Sequence, residues 1–318
     1  MDQVKKYITR ATELTAIAVS KLIKEKGFSP TDVLDEEENL SRERLIDQTG
    51  ADSMYKALVD IPFVLEVVGS EGRKHIHQYG EALPTLEGIF GKGDLELDCV
   101  NDVVEGSKAA KLNSPGAVSV IAVASKGGVM GTPADIDYMD KLFGPPQLKG
   151  KISMRKSLEE NLSEVVNTFS CQPSEINVVM MDRDRNAHYI NAAQKFGVNL
   201  ILIKAGDFMP SILSFMNPKE HEKGIHLIVG SGGFEEGVMA AVAGKSLNAV
   251  VEGRGWSADE VIAKKYSKIW GVDDLVPSAV DHCLVSITTI TPENKWFDLT
   301  PLTTLTVDQS GVNIERPH

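Results

Sequence analysis

The spacing of apolar residues along the chain predicts a series of helices and strands. From Val4 to Ile23 apolar residues recur every three or four positions, and Gly27 and Pro30 follow, which predicts a helix that ends there. Helical spacing returns just after Asp52, so we expect Asp52 near a helix start. Runs rich in β-branched residues at 63–68 and 117–124 predict strands, and the segment 95–100 is also predicted to be a strand.

The pattern changes after Gly144, where helices and strands begin to alternate strictly. Helices are predicted at 158–169, 187–196, 212–215 and 235–242, and strands at 176–181, 199–204 and 225–229. Such alternation is typical of a parallel sheet with helical crossovers. We therefore expect a boundary near Gly150, between an N-terminal α+β subdomain (1–150) and a C-terminal α/β subdomain (151–318) whose tail is again β-rich.

Composition and charge narrow the class of protein. The 318 residues are 42% hydrophobic and 25% charged, and a net charge of −12 argues against nucleic acid or an anionic membrane surface as a partner. Three cysteines far apart fit a reducing compartment and disfavour a structural zinc site. No apolar run reaches membrane-spanning length, so we expect a cytoplasmic protein.

The segment Asp102-Val-Val-Glu-Gly-Ser107 carries the strongest chemical signal. Two carboxylates stand three residues apart where a predicted strand enters a turn, and two negative groups aimed at one point require a cation. Hard oxygen ligands favour Mg²⁺ or Mn²⁺ over Zn²⁺. Gly106 permits a close approach to a ligand, and the hydroxyl of Ser107 could orient a water molecule. A solvated acidic turn in which Ser107 caps a helix is the open alternative.

Other carboxylates occupy similar settings. Glu71 lies between two glycines at the end of a predicted strand, and Glu236 lies in Gly-Gly-Phe-Glu-Glu-Gly ahead of a predicted helix. The glycine-rich run at 230–233 also resembles a dinucleotide-binding turn, but two carboxylates at a helix N-terminus would repel a pyrophosphate. Together with Asp52, these acidic residues at strand and helix ends indicate a polynuclear metal site.

The order of these motifs resembles that of class II fructose-1,6-bisphosphatases, which belong to the lithium-sensitive, metal-dependent sugar-phosphatase superfamily. The resemblance covers nearly the whole chain. It implies a layered α/β/α/β/α sandwich of two packed subdomains, a Mg²⁺ or Mn²⁺ cofactor, and hydrolysis of fructose-1,6-bisphosphate or sedoheptulose-1,7-bisphosphate by a homodimer or homotetramer. The motifs are Ala51-Asp52, Gly69-Ser-Glu71-Gly72, Asp102-x-x-Glu105-Gly-Ser107, the segment 132–142 and Gly232-Gly-Phe-Glu-Glu236-Gly237.

The resemblance also implies roles for single residues. Ser107 stands where the family has a catalytic threonine, with Asp52 as its partner and Glu71 beside them. Carboxylates at the family's metal-ligand positions are Asp52, Glu71, Asp102, Glu105 and Glu236. Residues at its substrate-binding positions are Gly106, Tyr138, Arg183, Arg185 and Asp207, of which the two arginines would grip the distal phosphate and Asp207 the sugar hydroxyls.

Several positions depart from the family pattern, and most of them concern the substrate. Gln48 replaces a common lysine, His75 replaces an acidic residue, and Ala205 and Asn186 replace residues expected to read the substrate. Phosphatase chemistry is therefore a firmer inference than the identity of the sugar phosphate. A phosphatase for another sugar phosphate, and a catalytically weak paralogue that binds metabolites and regulates, are the alternatives.

Overall fold

The computed structural model describes residues 1–70, 84–293 and 295–316, and these form two compact units. The first unit comprises Met1–Gly131 and Ser278–His318, and the second comprises Thr132–Pro277. This division differs from the boundary that we predicted near Gly150. The reason is strand pairing: the strand at Tyr138–Gly144 pairs within the second unit, whereas the strands after Ser278 return to the sheet of the first unit.

A seven-stranded mixed sheet forms the centre of the first unit, in the order β13-β12-β11-β4-β3-β1-β2. Neighbouring strands are antiparallel, except that β1 and β3 are parallel. The elements in chain order are α1 (Asp2–Lys26), α2 (Glu36–Leu58), β1 (Val64–Ser70), β2 (Ile89–Phe90), β3 (Glu96–Glu105), α3 (Ser107–Ala110), β4 (Val118–Ser125), β11 (Leu284–Thr289), β12 (Thr304–Asp308) and β13 (Gly311–Glu315).

Two long helices cover this sheet. The predicted helix over 4–23 is confirmed as α1, which ends at Gly27 in the left-handed conformation. Helix α2 begins at Glu36, where the side chain of Asp35 accepts a hydrogen bond from the Glu38 amide. Asp52 therefore lies deep inside α2, and our expectation that it lies near a helix start is wrong.

Strand β3 is longer than the sequence predicts. We expected a strand at 95–100 followed by a turn, but β3 continues to Glu105 and is buried from Leu97 onward. Its pairing with β4 shifts register between Asp102 and Glu105, which marks a β-bulge. Both carboxylates therefore lie on a buried, bulged strand end rather than on a solvated turn.

The second unit is built on a six-stranded sheet in the order β10-β9-β5-β8-β6-β7. Its elements are β5 (Tyr138–Gly144), α4 (Leu158–Phe169), β6 (Asn177–Met181), α5 (Ala187–Phe196), β7 (Asn199–Ile203), α6 (Phe208–Ser214), β8 (Leu227–Gly233), α7 (Phe234–Ser246), β9 (Val250–Trp256), α8 (Glu260–Lys265), β10 (Trp270–Gly271) and α9 (Val272–Leu275). Short 3₁₀ turns lie at Pro146–Leu148, Pro173–Glu175, Asp184–Asn186, Pro218–Glu220 and, in the first unit, Val280–His282.

The sheet of the second unit is mixed, so our expectation of a parallel sheet is only partly correct. β6 pairs in parallel with β7 and β8, as the alternation predicts. β5 pairs antiparallel with both β8 and β9, and β10 pairs antiparallel with β9. Tyr138, a predicted substrate-binding residue, is the first residue of β5. The mixed α/β class itself is confirmed, and none of the described helices is both long and apolar enough to cross a bilayer.

The acid stability of the second unit should depend on His226. Its Nδ1 accepts a hydrogen bond from the Asn177 amide, and burial, with a smaller effect of Lys219, lowers its pKa from 6.5 to about 4. The unfolded chain therefore binds a proton between these pH values that the folded chain does not bind. We expect the free energy of unfolding to fall as pH falls through this window.

The variant His226→Gln should reduce this pH dependence, because it removes the titrating group. Urea unfolding followed by circular dichroism at pH 7, 6, 5 and 4 measures the effect. The exposed His282, replaced by glutamine, is the matched control and should retain the wild-type pH dependence. An unchanged slope in His226→Gln would contradict the prediction.

Candidate active site

Two of the predicted metal ligands are buried at the end of β3. Asp102 and Glu105 retain only 4% and 6% of their surface exposure, and Oδ1 of Asp102 accepts a hydrogen bond from the Val104 amide at 3.0 Å. Burying carboxylates is costly unless hydrogen bonds or cations compensate their charge. Asp102 and Glu105 therefore stay predicted ligands of a cation.

Gly106 turns the chain immediately after these carboxylates. Its φ of 85° lies in the left-handed region, and a Cβ at this position would lie 3.0 Å from the carbonyl oxygen of Gly116. The four-residue helix α3 follows, with Gly106 at its N-cap and Ser107 as its first residue. Because Ser107 is not the N-cap residue and no side-chain cap occurs there, the structure does not support the alternative role of Ser107 as a helix cap.

The hydroxyl of Ser107 points to helix α2. Its Oγ donates to Oδ1 of Asp47 at 2.7 Å, and it lies 2.9 Å from the carbonyl oxygen of Val104. Asp47 is 5% exposed, whereas Asp52 is exposed and its Oδ1 accepts a hydrogen bond from Gln48. The partner of Ser107 is therefore Asp47, and our prediction of Asp52 in that role is corrected.

Helix geometry explains the correction. Asp47 and Asp52 are five residues apart on α2, and five residues rotate a side chain by about 140° from the starting direction. Asp47 lies on the buried face of α2, together with Ile46 and Gly50, whereas Asp52 is exposed to solvent. A sequence motif read without its helical register cannot separate the two.

A second polar bridge joins α2 to the same turn. Glu43 lies one helical turn before Asp47, and Lys111 lies four residues after Ser107. The Nζ of Lys111 lies 2.5 Å from Oε1 of Glu43, and both side chains are at least nine-tenths buried. The two bridges run between the same pair of segments and together restrict the orientation of the Ser107 hydroxyl.

The donor chemistry of this strand end suits a hard divalent cation. Asp102 and Glu105 offer carboxylate oxygens, which Mg²⁺ and Mn²⁺ prefer. Within residues 1–70, 84–293 and 295–316, however, no group of three or more His, Cys, Asp or Glu side chains is arranged to hold a metal ion. The predicted ligand Glu71 and the substituted position His75 lie outside the described residues.

In the second unit, Glu236 is buried in the first turn of α7. Its carboxylate folds back over Gly233, where a Cβ would lie 1.5 Å from Oε2 of Glu236. Only glycine can therefore occupy position 233 without displacing this carboxylate. The glycine-rich run is the buried end of β8 and holds a carboxylate, which does not favour the dinucleotide-binding alternative.

Asp207 is also buried, and its charge is compensated. The Nζ of Lys141 donates to Oδ2 of Asp207 at 2.8 Å, and the Lys141 side chain is 1% exposed. A Cβ on Gly232 would lie 2.0 Å from the same oxygen, so glycine leaves the space for this ion pair. Asp207 is the predicted contact to sugar hydroxyls, and the structure places it in a fixed orientation on Lys141.

The predicted phosphate-binding residues lie along one end of the sheet. The guanidinium carbon of Arg185 lies 4.2 Å from the ring centroid of Tyr138 and 5.7 Å from that of Trp256. Arg183 is partly exposed and donates to the carbonyl oxygens of Lys204 and Asp182. Tyr138 and Arg185 are thus brought into contact, as residues of one site would be.

Sequence reasoning missed several members of these clusters. Asp47 and Glu43 had a signal, because positions 43, 46, 47, 50, 51 and 54 recur at helical spacing and are the buried positions of α2. Lys141 and Trp256 had no signal of their own, since their roles depend on strand pairing between distant segments. Lys111 is defined only by its contact with Glu43.

A known protein family matches most of the chain. The family described as bacterial fructose-1,6-bisphosphatase, glpX-encoded, matches residues 37–294, which is most of the chain. The chain belongs to this bisphosphatase family. The matched range includes α2, β3 and every element of the second unit.

Curated relatives of the chain carry a related name. A D-fructose 1,6-bisphosphatase class 2/sedoheptulose 1,7-bisphosphatase from Synechococcus sp. (strain JA-3-3Ab) is 32% identical over 65% of the chain and 61% of the relative. A protein of the same name from Trichormus variabilis is 34% identical over 50% of the chain and 45% of the relative. The chain thus spans between about half and three fifths of the length of these relatives.

Proposed function

We propose that the protein is a metal-dependent phosphoric monoester hydrolase that acts on a sugar phosphate. Fructose-1,6-bisphosphate and sedoheptulose-1,7-bisphosphate are the leading substrates, because the relatives carry these names. The observation that carries the proposal is the Ser107–Asp47 hydrogen bond beside the buried carboxylates of β3. A hydroxyl held by a buried carboxylate is suited to orient a nucleophilic water molecule.

The residues of the first unit would divide the work. The Ser107 oxygen would accept a hydrogen bond from the attacking water. Asp47 would accept the hydrogen bond that the Ser107 hydroxyl donates and so fix the orientation of that hydroxyl. We infer that Asp102 and Glu105 hold Mg²⁺ or Mn²⁺, which when bound would polarise the phosphoryl group and lower the pKa of a water molecule. Glu71, Asp52 and Glu236 stay predicted ligands on the strength of the resemblance alone.

We infer that the predicted substrate-binding residues of the second unit bind a phosphate that does not react and the sugar hydroxyls. Arg185 and Arg183 are suited to a phosphate group, since a guanidinium can donate two parallel hydrogen bonds to it. The guanidinium of Arg185 lies over the ring of Tyr138. Asp207, oriented by its bond to Lys141, could accept hydrogen bonds from sugar hydroxyls. Gly106 stays a predicted substrate-binding residue on the strength of the resemblance, and in the structure its missing Cβ leaves space for the carbonyl oxygen of Gly116.

One departure from the family pattern has a structural explanation. Asn186 is fully buried, its Nδ2 donates to the carbonyl oxygens of Met181 and Ser231, and its Oδ1 accepts from the Ser231 amide. These bonds occupy the side chain, so Asn186 holds the strand end and does not read the substrate. A different sugar phosphate is consequently the second candidate, and Ala205 is the position that favours it.

A phosphate-release assay over a panel of sugar phosphates, with Mg²⁺, with Mn²⁺ and with chelator, tests the proposal. We expect metal-dependent release from bisphosphates, and near-complete loss in Asp102→Asn and Glu105→Gln, because each substitution removes a charge that the cation requires. Turnover of another ester alone would support the second candidate. Binding without turnover of any ester would contradict the proposed hydrolase activity and support a regulatory paralogue.

The pair Asp47→Asn and Asp52→Asn tests the assignment of the serine partner. Asp47→Asn keeps the size of the side chain but removes the acceptor charge, so we expect kcat to fall by roughly 10²-fold or more. Asp52→Asn should change kcat little, since Asp52 is exposed and bonded to Gln48. Steady-state kinetics of both variants at saturating metal measures this. The reverse order of the two effects would restore Asp52 to the role.

The assembly is a separate prediction. The homodimer or homotetramer implied by the resemblance can be tested by sedimentation equilibrium of the purified chain, and a monomer at micromolar concentration would contradict it.

A further inference from the structure

Two aromatic residues of the second unit lie directly opposite each other on neighbouring strands. Tyr138 on β5 is paired in register with Trp256 on β9, so both side chains project from the same face of the sheet. Their rings are 5.9 Å apart at an interplanar angle of 82°, which is the edge-to-face arrangement. Neither residue is fully buried, so the pair forms a partly open aromatic surface.

Arg185 lies on this surface with most of its donor groups available. Within the described residues, Arg185 donates one hydrogen bond, from Nε to the carbonyl oxygen of Ser231 at 3.4 Å, and forms no ion pair. The guanidinium is half-buried, and burial lowers the pKa of Arg185. The terminal nitrogens of this guanidinium have no partner among the described residues, and burial has removed part of its water contacts. An anion bound there would therefore form strong, charge-assisted hydrogen bonds with it.

We propose that Trp256 is a positioning residue for Arg185, which it holds against Tyr138 so that the terminal nitrogens of the guanidinium face a phosphate group. This inference rests on the proposed function, in which Arg185 binds the phosphate that does not react. Contact with two aromatic rings restricts a long and flexible side chain, so less entropy is lost when the phosphate binds. Trp256 thereby contributes to the preference for a doubly phosphorylated substrate.

The neighbouring residues on the same face support a fixed platform. Asp140 on β5 is paired in register with Arg254 on β9 and with Ser231 on β8. Oδ2 of Asp140 accepts from Arg254 at 2.7 Å, and Oδ1 accepts from the Ser231 hydroxyl at 2.6 Å. Ser231 also provides the carbonyl oxygen that receives Nε of Arg185, so the three strands are joined beneath the guanidinium.

The test compares Trp256→Leu with Trp256→Phe in the full chain. Leucine keeps an apolar side chain but removes the aromatic face, whereas phenylalanine retains it. Trp296→Leu is the matched control, because Trp296 also lies near a cation, Lys295 at 4.8 Å, but belongs to the first unit. The first measurement is the Kd for inorganic phosphate by isothermal titration calorimetry. The second is the KM and kcat for fructose-1,6-bisphosphate and for a monophosphate ester without a distal phosphate.

We expect Trp256→Leu to weaken phosphate binding by about threefold to tenfold and to raise KM for the bisphosphate by a similar factor, with kcat little changed. Trp256→Phe and Trp296→Leu should remain close to wild type, and KM for the monophosphate should not respond. In the double variant Arg185→Ala, Trp256→Leu, the second substitution should add no further loss, because Trp256 acts through Arg185.

Equal losses for both ester classes, or additive losses in the double variant, would overturn the proposal and indicate a merely structural role for Trp256. The calorimetric measurement separates this inference from the proposed function. If no sugar phosphate is hydrolysed but phosphate binding responds to Trp256→Leu as expected, the hydrolase proposal fails and the positioning role stands. Wild-type phosphate affinity in Trp256→Leu, together with normal turnover, would remove the positioning role alone.

Discussion

The burial of three carboxylates around one turn, those of Asp47, Asp102 and Glu105, is the constraint on which the site of the first unit depends. Charges removed from water must find donors or cations, and each feature of the turn serves this need. The bulge of β3 lies between Asp102 and Glu105, Gly106 follows in the left-handed conformation, and Ser107 donates to Asp47.

The second unit meets a similar constraint with cations of its own. Lys141 is almost completely buried against Asp207, and Arg254 is bonded to Asp140. Gly232 leaves the space that the Lys141–Asp207 pair fills, and Gly233 leaves the space for the Glu236 carboxylate. Arg185 differs, because aromatic rings and not a carboxylate hold it in place, and this leaves its charge available to an anionic ligand.

Much of the fold could be predicted from the sequence, because periodic apolar residues dominate the elements concerned. Helices α1, α4 and α5, the parallel pairing of β6 with β7, and the β-rich tail all follow such patterns. Strand β5 could not be recognised, since Asp140 and Lys141 interrupt its apolar run. They are buried only because partners on other segments neutralise them, and these partners are distant in sequence.

The site was predictable in composition but not in register. The carboxylates of β3 and the arginines after β6 stand out as motifs, yet the choice between Asp47 and Asp52 requires knowledge of which face of α2 is buried. The contact of Trp256 with Arg185 requires the pairing of β5 with β9. Both features depend on tertiary packing, which cannot be read directly from a single sequence.

The most direct test of the catalytic assignment measures kcat and the thermal midpoint on Ser107→Ala and Ser107→Thr. If the Ser107 hydroxyl orients the attacking water, the alanine variant should lose roughly 10²-fold or more in kcat. Its thermal midpoint should also fall, because the buried Asp47 carboxylate loses a hydrogen-bond donor. The threonine variant should keep its activity, because it retains the hydroxyl with a stiffer χ1. An alanine variant that is less stable yet fully active would contradict this account and remove Ser107 from the mechanism.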